Sequence, residues 1–215
     1  MREPVRFTFF HDVLCAYCSV TAHRLTQLEE EFGDLVQVEL RAYPLRLEPE
    51  ALSRREVRRQ VRLVKKAARE PEQLDLSPAL WRGVDPPLSS LPPMVALEAA
   101  RRQGRAAERA LAQRLRDAAF RFGLNVARRD VLFELAAATG LSMDQFGSAF
   151  DAPSTLRAVE ESRLDAMRRG VGAIPAVVVG HEWSMTGIRE LHEYREVLQR
   201  WWERQGGSPS PRALN

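Results

Sequence analysis

HDVLCAYCSV, residues 11–20, holds both cysteines of a 215-residue chain, with two residues between them. Before it, Val5-Arg6-Phe7-Thr8-Phe9-Phe10 is β-branched and aromatic and reads as a buried strand. After it, apolar positions at Val20, Leu25, Leu28 and Phe32 fit a helix from Ala16 to Phe32, with Gly33 as its C-cap. Leu35 to Tyr43 alternates as a second strand and stops before Pro44. Strand, helix and strand make a parallel βαβ unit with a right-handed crossover. Both cysteines then lie at the carboxyl end of the first strand, where the helix opens. Open α/β sheets gather ligand and catalytic groups at that edge.

Bulk composition narrows the setting. Hydrophobic residues make up 45% and charged residues 28%, the balance of a soluble globular protein long enough for a real core. The formal net charge of +3 is too small an excess to argue for nucleic acid. Arg6, His11 and Asp12 interrupt the N-terminal apolar run, so a secretory signal is not expected. No stretch approaches the roughly 18 to 20 apolar residues of a membrane span. The expectation is a cytoplasmic protein, in which a close cysteine pair is catalytic or metal-binding rather than a structural staple.

From Pro49 onward strand signals fade for roughly a hundred residues. Residues 54–70 read as a basic helix, and PPLSSLPP at 86–93 as a connector whose last prolines start another. Further helices are expected at Met94–Gln103, Ala106–Phe122, Asp130–Thr139 and Ser154–Arg169, and Ser142 with Gln145 fits a capping box. Strand signals return with Ala176–Val179, a turn at Gly180-His181-Glu182 and a short strand at Trp183–Met185. Thr186 is placed to cap a last helix to about Arg204. GGSPSPRALN is a low-complexity tail with little to bury.

Three readings of the cysteines compete. At a helix N-terminus, unpaired N–H groups and the helix dipole favour an anion, so Cys15 suits a nucleophilic thiolate. Cys18 lies about one turn on, placed to resolve a mixed disulfide. A zinc site would draw on His11, Cys15, Cys18 and His23, but His23 sits too far down the same helix for easy convergence. Inert buried thiols are the third reading. GVGAIPAV at 170–177 sharpens the choice, since a proline directly before a strand forfeits a ladder hydrogen bond and calls for a reason. A cis Ile174–Pro175 bond would leave the preceding backbone free to pair with an extended peptide.

A CxxC after a strand, then a distant Ile-Pro turn, a hairpin and a final helix resembles the thioredoxin fold. The helical insert resembles the DsbA family. More closely it is similar to the FrnE-like branch, related to 2-hydroxychromene-2-carboxylate isomerases and kappa-class glutathione transferases. The stretches that carry this are Asp12 to Cys18, ALEAARRQG at 96–104, RRGVGAIPAVVVG at 168–180 with the helix before it, and WSMTG at 183–187. The resemblance implies an α/β thioredoxin-like domain from residues 1–48 and 168–205, a helical insertion at 49–167 and a flexible tail at 206–215. It implies thiol–disulfide exchange with protein substrates, Cys15 attacking and Cys18 resolving, with substrate backbone held at Ile174 and Pro175. No metal or organic cofactor is required. Glutathione or a thioredoxin system would be the redox partner. Ala16 stands where the family usually has proline, and Tyr17 where it has tryptophan or histidine. Without that histidine the expected oxidant is a mild one. The alternative on the same scaffold is a glutathione-dependent isomerase or transferase, although serine usually replaces the first cysteine in that branch.

His11 ends the first strand in a polar contact, with a proton-carrying role as the alternative. Asp12 could cap the helix or carry a proton through water, and Tyr17 shapes the rim of the site. Arg54, Arg55, Arg58, Arg59 and Arg62 lack interleaved aromatics and read as a solvated helix face rather than an RNA stripe. Trp201 and Trp202 pack the last helix, and either could contribute to a homodimer.

Overall fold

A computed structural model describes residues 4–180 and 182–205. The predicted tail, and His181 within the predicted turn, lie outside the described residues. Strand β1 (Val5–His11) leads through a short turn into helix α1 (Ala16–Phe32), a 3-10 turn (Gly33–Leu35) and strand β2 (Val36–Ala42). Seven helices follow: α2 (Arg54–Ala67), α3 (Ala79–Arg82), α4 (Leu91–Arg101), α5 (Arg105–Phe120), α6 (Arg129–Ala137), α7 (Met143–Phe150) and α8 (Pro153–Arg168). Strands β3 (Ala176–Val179) and β4 (Trp183–Thr186) and helix α9 (Leu191–Arg204) complete the chain. The sheet runs β2-β1-β3-β4, with β1 parallel to β2 and the other neighbours antiparallel. This is an α/β DsbA-like thioredoxin fold with a large helical insertion between its second and third strands.

Period-two alternation divides the sheet's apolar side chains between two layers. Phe7 and Phe9 belong to a large core that continues into α1, α4, α5 and α9 through Leu28, Met94, Leu111 and Tyr194. Phe10, Ala176 and Val178 point the other way and pack with Tyr43, Ala166 and Val171 beneath α8. Neighbouring elements also seal the exposed edge of β2. Val38 N–H donates to Glu29 at 2.7 Å, Ala42 C=O accepts from Ser162 at 2.8 Å, and Leu40 C=O accepts from Arg101. Those side chains occupy backbone groups that another strand would need for pairing.

Several local expectations are corrected. Leu35 belongs to the 3-10 turn rather than to β2, and α3 had no sequence signal. Ser142 starts α7 without a side-chain cap. Its backbone N–H and C=O are held instead by the Gln103 amide at 2.9 and 3.0 Å. Thr186 ends β4, and α9 is started four residues later by a reciprocal Glu190–Glu193 capping box. A capping box also opens α2, between Ser53 and Glu56.

Candidate active site

The end of β1 and the start of α1 bring the cysteines together. Cys15 is the N-cap of α1 in extended conformation (φ −92°, ψ 107°), and its sulfur accepts the Cys18 N–H at 3.2 Å. A sulfur in that place satisfies one of the helix's orphan donors and receives the positive end of its dipole. No acidic side chain occupies the first turn to compete for that field. Cys15 is half-buried, whereas Cys18 is fully buried. Both are free thiols. Burial pushes the Cys18 thiol well above its usual range, and its hydrogen bond to Cys15 raises it further. Cys18 therefore keeps its proton.

Three ionisable groups lie beneath the pair. The Asp12 carboxyl is fully buried, accepting the Leu14 N–H at 2.8 Å and the Leu45 N–H at 2.7 Å. Burial raises its pKa to about 6 against the opposing pull of those hydrogen bonds. It does not cap α1, as Cys15 does that, and it ties the β1–α1 turn to the chain beyond β2. His11 ends β1, stacks on Phe9 at 5.2 Å, and places Nδ1 3.2 Å from an Arg116 guanidinium nitrogen. Burial, then Arg116 and Arg101, holds the imidazole well below its ordinary pKa, so it is neutral and Nδ1 accepts.

Arg116 arrives from α5, 105 residues away in sequence from His11. Its side chain is 6% exposed, and its Nε has no hydrogen-bond partner among the described residues. Burial lowers its pKa, and the nearby Cys18 and Cys15 sulfurs oppose that shift. The guanidinium stays protonated and is a buried cation within electrostatic reach of the sulfurs. Sequence reasoning missed it. The available signal was its position one helical turn from Ala112 and one from Phe120, both fully buried.

Tyr17 is half-buried between the two cysteines in sequence, and burial, Glu70 and Cys15 together raise its pKa. Phe10 pairs with Ala176 in the antiparallel ladder, so Pro175 and Ile174 continue past the strand beside His11 and Asp12. The Ile174–Pro175 bond is cis. Pro175 C=O accepts from Gly187 N–H at 2.8 Å, while the Ile174 backbone has no partner among the described residues. His23 does not join the group, and lines a cleft with Gln113 and Arg116. Among the described residues, no three His, Cys, Asp or Glu side chains are placed to share a metal ion. No helix among them is long and apolar enough to cross a membrane.

The DSBA-like thioredoxin domain family matches residues 6–199. The chain belongs to that family, whose members are thiol–disulfide oxidoreductases. Solved structures agree on the fold. A Nitrosomonas europaea protein provisionally named a protein disulfide isomerase superimposes with a TM-score of 0.79 at 16% identity, over 95% of this chain and 100% of its own. The cytosolic disulfide reductase DsbM of Pseudomonas aeruginosa, solved with glutathione, has a TM-score of 0.69 at 22% identity, over 93% and 98%. The thiol-disulfide exchange protein alpha-DsbA2 of Wolbachia pipientis has a TM-score of 0.59 at 14% identity, over 93% and 83%. No curated protein matches the chain.

Proposed function

We propose that this protein exchanges disulfides with protein substrates through Cys15 and Cys18. The observation that carries the reading is a half-buried sulfur at a helix N-cap that accepts the backbone N–H of a second, fully buried cysteine one turn on. The outer thiolate attacks one sulfur of a substrate disulfide. That S–S bond breaks, a substrate thiolate leaves, and a mixed disulfide forms at Cys15. Cys18 then gives up its proton and attacks Cys15, releasing the second substrate thiol and leaving a Cys15–Cys18 disulfide. Asp12, poised near neutrality beside Cys18, is the acceptor for that proton. Arg116 favours the reduced, charged pair. The free Ile174 backbone holds the substrate extended, and Tyr17 borders the entry.

Glutathione, or a thioredoxin system, is the redox partner in a cytoplasmic setting, a reading supported by the DsbM structure with glutathione. The resolving sulfur favours exchange over a glutathione-dependent isomerase, which needs only one activating group. Placement in the FrnE-like branch is supported by the stretches Asp12 to Cys18, 96–104, 168–180 and 183–187. The test is a redox titration with insulin reduction on wild type, Cys15→Ser and Cys18→Ser. Cys15→Ser is expected to abolish reduction, and Cys18→Ser to accumulate mixed disulfides. Insulin reduction that survives Cys15→Ser rules the mechanism out.

A further inference from the structure

A surface groove lies outside the site described above, along α2. It encloses about 590 Å³, and its walls carry Arg55, Arg58, Arg62, Lys65, Lys66 and Arg69 on and just beyond that helix. Arg82 of α3 completes the lining, and Val57 and Val61 supply its apolar part. Among the described residues, no acidic one lines it. All of these cations are exposed. Among the described residues none of them forms an ion pair, although most other arginines of the chain do. The one acidic residue within α2, Glu56, is turned to Ser53 and Arg46. A folded chain with a net charge of only +3 has carboxylates enough to neutralise this strip and leaves it unpaired.

The groove also has a direction. Arg69 borders it, and the next residue, Glu70, is bound to Arg24 of α1 at 3.1 Å. Glu70 lies within electrostatic reach of Tyr17, between the two cysteines. The C-terminal end of the basic strip thus adjoins, through Glu70 and Arg24, the helix that Cys15 caps. We infer that the α2 groove docks acidic segments of disulfide-bearing polypeptides and delivers their disulfides to Cys15. The inference rests on the exchange reading and names its preferred substrate class. A polypeptide suits the groove better than a nucleic acid: no aromatic lines it to stack a base, and the apolar valines accept side chains. Unpaired cations along a groove speed the approach of an oppositely charged chain and lose that advantage in salt.

The test compares two synthetic peptides with the same intramolecular disulfide, one flanked by aspartates and glutamates, the other by serines and glycines. Wild type is expected to reduce the acidic peptide with kcat/KM about tenfold higher at low ionic strength, the gap closing at about 0.3 M salt. Arg58→Glu/Arg62→Glu/Lys65→Glu should erase the preference and leave the neutral peptide within about twofold. The glutamine version of the same triple variant, which adds no repulsion, should lie between. Fluorescence anisotropy of an acidic peptide whose cysteines are replaced by serine reads docking without exchange, so the groove is judged separately from the chemistry. Equal rates on the two peptides in wild type overturn the inference. So does undiminished anisotropy binding by the charge-reversed variant. An oligouridylate of equal charge that binds more tightly than the acidic peptide and displaces it also overturns the inference, in favour of RNA.

Discussion

Two buried arginines are kept in opposite ways. Arg24, at the junction of α1 with the chain beyond α2 and the start of α9, meets Glu72 at 2.6 Å, Glu70 at 3.1 Å, Glu190 at 3.2 Å and the Arg189 carbonyl at 2.8 Å. Arg116, at the junction of α5 with β1, meets one neutral imidazole and leaves its Nε unpaired. A guanidinium surrounded by three carboxylates has its charge cancelled and its donors used, which makes it a clamp between elements. One held against a histidine beside two sulfurs keeps an uncancelled charge for anything that ionises there. The same side chain is structural in one region and chemical in the other, and the partners make the difference.

The contrast can be broken most severely at Arg24. Arg24→Ala leaves the partly exposed Glu70 and Glu72 without their cation and should cost about 3 kcal/mol in denaturant unfolding. Disulfide exchange per folded molecule should stay within about twofold. A matching collapse of kcat/KM in fully folded protein would place Arg24 in the chemistry and remove the distinction.

Asp12 tests the charged floor of the site through pH. Its carboxyl holds a proton up to about 6 in the folded chain, against 3.8 as its ordinary value. Its raised folded pKa means a contribution to stability that is complete below the unfolded value and is lost as pH rises through about 6. Measured against Asp12→Asn, wild-type stability should therefore fall by about 2 kcal/mol between about pH 4 and 7. A flat difference over that range would mean that the carboxyl ionises as it does in water. The same variant should slow resolution of the mixed disulfide more than its formation, read by stopped-flow with a fluorescent disulfide peptide.

The smallest expected effect is the most pointed. Arg116→Met removes the cation that favours the reduced pair, so the reduction potential should drop by about 30 mV, or about 1.4 kcal/mol. Arg116→Lys should restore most of it, because the charge rather than the guanidinium geometry is at issue. An unchanged potential in Arg116→Met with a lowered midpoint of unfolding would make Arg116 a second clamp.

Much of this was legible locally. Val5–Phe10, the helix from Ala16 and the strand at Ala176 follow from periodicity and from the Gly and Pro residues around them, which act within a few residues. Placement of Cys15 at the helix start follows from the same pattern. The capping expectations at Ser142 and Thr186 failed for a physical reason. The groups that hold those backbones are Gln103, 39 residues away, and a glutamate pair preferred four residues later. Local pattern proposes caps, but the packing of α4 against α7 decides which donor arrives first.

The site divides along the same line. The amino-acid sequence by itself determined that two sulfurs, one helical turn apart, stand where a strand hands over to a helix, because that depends only on neighbouring residues. Tertiary structure alone decided that Cys18 is sealed, that Asp12 is driven toward neutrality and that Arg116 lies beneath them. A charge takes its energy from what surrounds it, and here the surroundings are assembled from β1, α5 and the chain beyond β2, segments that meet only once the protein has folded.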